Sequence, residues 1–102
     1  MSKRLAALEK MTSMGSNDPF AWYGLALEYK SLGRPDDALA TFVKLRALDA
    51  KYLPQYLMCG GLLVEMSRAE EGREWLRAGI EVAHAKGDAH ALSELESALA
   101  GA

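Results

Sequence analysis

Apolar residues recur along this chain at three- and four-residue steps, and no segment alternates with period two, so the pattern predicts helices throughout. Lys3–Met14 carries Leu5, Leu8, Met11 and Met14 on one side, with Lys3, Arg4, Glu9 and Lys10 between them. Gly15 to Pro19 reads as a stop and a restart, with a terminating glycine, an N-cap acid at Asp18 and a first-turn proline. The second helix runs to about Leu32, where Gly33-Arg34-Pro35 breaks it. Pro35, Asp36 and Asp37 open a third, the acids placed at its positive end, and it continues through Ala38, Leu39, Phe42, Leu45 and Leu48. Asp49–Leu53 leads to a fourth, about Pro54–Met66. This helix is apolar nearly all round, with Gln55 and Glu65 at its ends, so most of its faces should be covered. Ser67-x-x-Glu70 matches a capping box and starts a fifth, with Trp75, Leu76, Ile80 and Val82 or Ala83 inward and Arg73, Arg77 and Glu81 outward. Lys86-Gly87-Asp88 ends it and caps a last helix bearing Leu92, Leu95 and Leu99.

One segment carries more than a helix on a core requires. Between Pro19 and Tyr29, the residues Trp22, Leu25, Ala26 and Tyr29 form a stripe at i, i+3, i+4 and i+7. Phe20, Tyr23 and Leu27 form a second stripe about 130° further round, at roughly 100° per residue. One stripe should be core, and what the other faces is the functional question.

The second and third helices recur after a step of about 34 residues, which lands Trp22 on Tyr56, Leu25 on Cys59, Ala26 on Gly60 and Tyr29 on Leu63. Gly33 then falls on Ser67, Ala38 on Gly72, Phe42 on Leu76 and Leu48 on Val82. Large apolar positions meet large or compatible ones and small meet small, so one helical hairpin has been used twice. Read backwards by the same step, Leu5, Leu8 and Met14 fall under Leu39, Phe42 and Leu48, making the first helix the second half of a preceding copy. The last helix resumes the pattern after about two extra residues, with Leu92, Leu95 and Leu99 under Tyr56, Cys59 and Leu63.

Trp22-x-x-Leu25-Ala26-x-x-Tyr29, Gly33 and Ala38-x-x-x-Phe42 resemble the tetratricopeptide repeat signature, with Ala50 where proline is usual. The second copy is degenerate: Tyr56, Cys59, Gly60, Leu63, Ser67, Gly72 and Leu76. The resemblance implies an all-α fold of about six helices, a right-handed superhelical stack of antiparallel hairpins. Residues 1–102 would form a single domain: a half-repeat or cap at 3–14, repeats at 19–52 and 53–86, and a capping helix at 88–100. Small residues at Ala26, Gly60, Ala38 and Gly72 would let paired helices approach closely, while Trp22 and Phe42 fill the space around them.

The resemblance also places the first helix of each hairpin on a concave surface, so Phe20, Tyr23 and Leu27, with Leu57, Gly61 and Val64 from the next copy, are the candidate partner-binding residues. Such an apolar groove would take a peptide or an amphipathic helix of another protein, making the chain a non-catalytic adaptor. The alternatives are a homo-oligomer joined through the same surface or a terminal helix, and burial of the stripe beneath the capping helices. Tyr23→Glu or Leu27→Glu is expected to abolish partner capture and leave the fold intact. Some members of the family hold the C-terminal carboxylate of chaperones with lysines and asparagines. Tyr23, Leu27, Leu57 and Gly61 stand in those places here, and none carries a charge or an amide.

Composition narrows the rest. The chain has 102 residues, half of them apolar and a quarter charged, with a formal charge of −2. That balance gives no field for nucleic acid or an acidic membrane surface. Tyr56–Val64, the longest apolar run, is about half the ~18 residues of a membrane span, and Met1-Ser2-Lys3-Arg4 is a poor start for a secretory signal, so a cytoplasmic protein is expected. The single Cys59 forms no internal disulfide and lies on the core stripe, where it reads as a small hydrophobe. His84 and His90 have no ligand-spaced acid or cysteine beside them, so neither metal, cofactor nor catalytic residue is expected. Asp36-Asp37 and Glu70-Glu71 occupy first turns and read as helix-end charges. No phosphate loop or nucleophile elbow occurs.

Overall fold

Helices form where the apolar periodicity places them, and their ends have local causes. In order they are α1 (Lys3–Ser13), α2 (Pro19–Ser31), α3 (Pro35–Leu48), α4 (Pro54–Glu65), α5 (Ala69–Lys86) and α6 (Ala89–Gly101). The computed structural model describes residues 2–102 and has no strand among them; Met1, part of the leader reading above, lies outside. Ser2, Asp18 and Asp88 accept the backbone N–H groups of Leu5, Phe20 and Ala91 as side-chain caps. Proline stands in the first turn of α2, α3 and α4, where a missing N–H costs nothing.

The C-termini of α2 and α4 close alike. Gly33 N–H donates to Lys30 O and Arg34 N–H to Tyr29 O; Ser67 N–H donates to Val64 O and Arg68 N–H to Leu63 O. These paired bonds satisfy the last carbonyls and require a left-handed residue, with φ of 73° at Gly33 and 61° at Ser67. Ser67 is the one non-glycine with positive φ among the described residues. The capping-box reading of Ser67-x-x-Glu70 is therefore corrected. Ser67 terminates α4, and Arg68 takes the N-cap of α5 without a side-chain cap bond.

The chain divides into two compact units, Met1–Tyr52 and Leu53–Ala102, at the step between one copy of the hairpin and the next. In the first unit, α2 packs against both α1 and α3. Leu5 and Thr12 of α1 are buried, as are Ala21, Gly24 and Leu25 of α2, and a Cβ on Gly24 would lie 3.4 Å from Leu8 Cδ2. Ala26, Ala38, Phe42 and Leu45 are wholly inaccessible and form the hairpin core.

In the second unit, α5 packs against α4 and α6, and glycines set the spacing. A Cβ on Gly72 would fall 2.9 Å from Gly60 O, and one on Gly79 would fall 2.5 Å from Tyr56 Cβ and 3.0 Å from Leu95 Cδ2. Trp75 stacks obliquely on Tyr56 with centroids 5.8 Å apart. Gln55, expected at a polar helix end, is fully buried here, and Ile80 and Val82 are half-buried while Gly79 and Ala83 take the inner face of α5.

Candidate partner-binding surface

The second stripe of α2 divides in two. Phe20, in the first turn, keeps 65% of its surface exposed. Leu27, two turns on, is half-buried. Tyr23 is also half-buried, but its ring meets Phe42 edge-on at 6.4 Å and Tyr52 at 5.5 Å, both within the first unit. Burial and then the neighbouring Tyr52 push the Tyr23 hydroxyl above the usual tyrosine pKa. Burial does the same to Tyr52, with Asp18 adding to it. A charge at Tyr23 would open this aromatic contact, so the expectation that Tyr23→Glu spares the fold is withdrawn. Phe20 is the position where charge can be added without that cost.

On α4, Leu57, Gly61 and Val64 are half-buried. Gly61 takes the place that Leu27 holds in the first copy, and a Cβ there would meet nothing within 4 Å. Val64 leans into its own hairpin, its Cγ2 lying 2.9 Å from the place of a Cβ on Gly72.

The first stripe holds α2 against its neighbours by polar as well as apolar contacts. Trp22 Nε1 donates to Ser16 O at 2.8 Å, and the Tyr29 hydroxyl donates to Glu9 Oε2 at 2.6 Å. That bond, with desolvation and the Glu9 charge, raises the Tyr29 pKa to about 12. The Arg34 guanidinium carbon sits 4.6 Å from the Tyr29 centroid, and Arg34 Nε donates to Asp37 at 2.9 Å. The same ion pair recurs at the matching place in the second copy, where Arg68 binds Glu71 through two nitrogens and holds its carboxyl below the ordinary range. Arg73 does so for Glu70. These acids occupy first helical turns.

The remaining chemistry is dispersed. Cys59 is buried and in no disulfide, His84 is exposed, and exposed His90 lies 3.2 Å from Glu94 Oε1. Among the described residues no three His, Cys, Asp or Glu side chains gather to hold a metal ion, and no helix is long and apolar enough to cross a membrane.

Solved structures identify the repeat. The tetratricopeptide repeat domain protein of Salinibacter ruber is 34% identical, with a TM-score of 0.77 over 82% of this chain and 93% of that one. The chain belongs to the tetratricopeptide repeat family. Two more distant members of the all-α helical-repeat fold also match. The type III secretion translocator chaperone SycD of Yersinia enterocolitica is 15% identical, with a TM-score of 0.87 over 95% of this chain and 68% of that one. MamA is 16% identical, with a TM-score of 0.72 over 93% of this chain and 62% of that one. No protein-family model matches the sequence, and no curated protein does.

The sequence pattern had no means of showing the partners of the first stripe. Glu9 and Tyr29 are far apart in the chain, and their bond depends on how α1 crosses α2. The available signal was weak: Glu9 and Thr12, polar residues one turn apart in an otherwise apolar-faced helix.

Proposed function

We propose that this repeat protein is a non-catalytic adaptor that holds an apolar segment of another protein, a peptide or an amphipathic helix. On the first unit such a segment would rest on Phe20 and Leu27 with the edge of Tyr23; on the second unit, taken by itself, the corresponding residues are Leu57, Gly61 with the open place above it, and Val64. The exposed Phe20 ring carries this reading. Hydrated apolar surface costs about 25 cal/mol per Å² relative to burial, and a phenylalanine in line with Leu27 offers a partner a stripe on which to recover it. Gly61 leaves space for a partner side chain where Leu27 supplies one in the first copy. The absence of charge or amide at Tyr23, Leu27, Leu57 and Gly61 argues against a terminal carboxylate as the bound group. That one matching fold is a chaperone's supports a protein as occupant.

Phe20→Glu tests it. The variant is expected to keep helical circular dichroism and melting unchanged while losing the partner that the wild-type chain captures from its native host's lysate. Undiminished capture overturns the reading. Sedimentation of both proteins at several concentrations identifies the occupant: self-association that Phe20→Glu dissolves would make it a second copy of the chain.

A further inference from the structure

A groove of about 290 Å³ runs between α1 and α2, on roughly the opposite side of α2 from Phe20 and Leu27 at about 100° per residue. Glu9, Thr12 and Ser13 line one wall; Trp22, Leu25 and Tyr29 line the other. Both rings are fixed by their own polar atoms, Trp22 through Ser16 O and Tyr29 through Glu9 Oε2, so the aromatic wall needs no ordering when a ligand arrives. Glu9 brings a carboxylate to the groove, and among the described residues no lysine or arginine forms an ion pair with it. The Tyr29 ring already carries a cation, Arg34, which is not among the groove's lining residues. Two aromatic side chains, the aliphatic Leu25 and an unbridged carboxylate together suit a cationic head on an apolar stem.

We propose that this groove receives a lysine side chain from a partner protein, its methylenes along Leu25 and Trp22 and its ammonium group at the Glu9 carboxylate. Lysine fits better than arginine because Glu9 Oε2 already accepts the Tyr29 hydroxyl. A guanidinium fork is satisfied by two free carboxylate oxygens, whereas an ammonium point charge needs one. The site does not depend on the Phe20 surface, and its charge requirement differs from that surface's apolar one.

The two indoles provide the test, since Trp22 lines the groove while Trp75 is buried in the second unit. The ¹⁵N-labelled chain is titrated with butylammonium, which is the lysine side chain without its backbone, and separately with butanol and butylguanidinium. The Trp22 indole N–H is expected to shift saturably with butylammonium while that of Trp75 stays in place. Butanol should bind about tenfold more weakly. Glu9→Gln keeps an acceptor for the Tyr29 hydroxyl but removes the charge, so it should weaken butylammonium about tenfold and leave the butanol response unchanged. The same titration of Phe20→Glu should reproduce the wild-type result, which separates this site from the proposed adaptor surface. Equal responses to amine and alcohol, equal affinity in Glu9→Gln, matching shifts at both indoles, or no shift at Trp22 would each overturn the site. Tighter binding of butylguanidinium would overturn the choice of lysine.

Discussion

At matching positions of the two hairpin copies, Thr41 and Leu45 of α3 become Trp75 and Gly79 of α5. Both pairs are buried, yet the volume has changed places. In the first hairpin Leu45 is wholly buried, and the smaller Thr41 turns its hydroxyl back to Asp37 O at 2.8 Å. In the second, Trp75 fills the outer place against Tyr56, and Gly79 yields the inner one to Tyr56 and Leu95. The small positions follow the same trend, with Ala26 and Ala38 giving way to Gly60 and Gly72. The recognisable copy keeps the family's residues. The degenerate copy keeps the close approach and redistributes the bulk, which close-packed interiors tolerate when total volume is retained. The surfaces differ as well. Met11, Met14, Phe20, Leu32, Val43 and Leu48, the large apolar side chains left exposed among the described residues, all belong to the first unit.

Truncation on the filled side of this comparison should cost most. Leu45→Ala, at a position with no accessible surface, is expected to destabilise by about 3 kcal/mol in urea unfolding followed by circular dichroism. Little change would mean that the first hairpin does not depend on bulk at this place. The reciprocal Gly79→Ala puts a methyl 2.5 Å from Tyr56 Cβ, an atom that rotamer changes cannot move away. Overpacking should outweigh the helix propensity gained, for a net loss of about 2 kcal/mol. A stabilised Gly79→Ala would remove the close-approach account of the second copy.

Two smaller effects probe where the copies close. Ser67→Gly should stabilise by about 1 kcal/mol and Gly33→Ser should lose a similar amount, because both positions are left-handed and only one holds a glycine. Tyr29, replaced by the buried Leu63 in the second copy, should lose about 1 kcal/mol as Tyr29→Phe through its bond to Glu9. Its raised pKa sets the sign of a pH effect. The contribution is complete below the ordinary value of 10.0 and disappears as pH rises towards about 12. Arg34 opposes this shift and Asp37 adds to it, while Tyr23 and Tyr52 titrate upward in the same unit. Alkaline melting of Tyr29→Phe should therefore be flatter than wild type, though not flat.

Helix positions and the repeat register were legible because both rest on periodicity, and the ends of α2 and the start of α3 followed from Asp18, Pro19, Gly33 and Pro35. Ser67 misled because a serine three residues before a glutamate satisfies the capping-box spacing. The register itself, which puts Ser67 on Gly33, was the better guide. The inner place of Gly79 depends on Tyr56 and Leu95 assembling around α5, and the burial of Gln55 is likewise tertiary, so no local pattern encodes either. The stripe on α2 was legible as apolar, but its division between an exposed Phe20 and a ring-packed Tyr23 depends on Phe42 and Tyr52. The α1–α2 groove needed the crossing of two helices and was not visible at all.

The proposed adaptor role is tested most directly by where the chain touches a partner. A photoreactive phenylalanine analogue is placed at Phe20, where the ring is exposed on α2, and in a second protein at exposed His84 on α5. After irradiation in native host lysate, the account predicts a discrete crosslinked protein from position 20 and none from position 84. Equal labelling from both positions, or labelling from 84 alone, would contradict it.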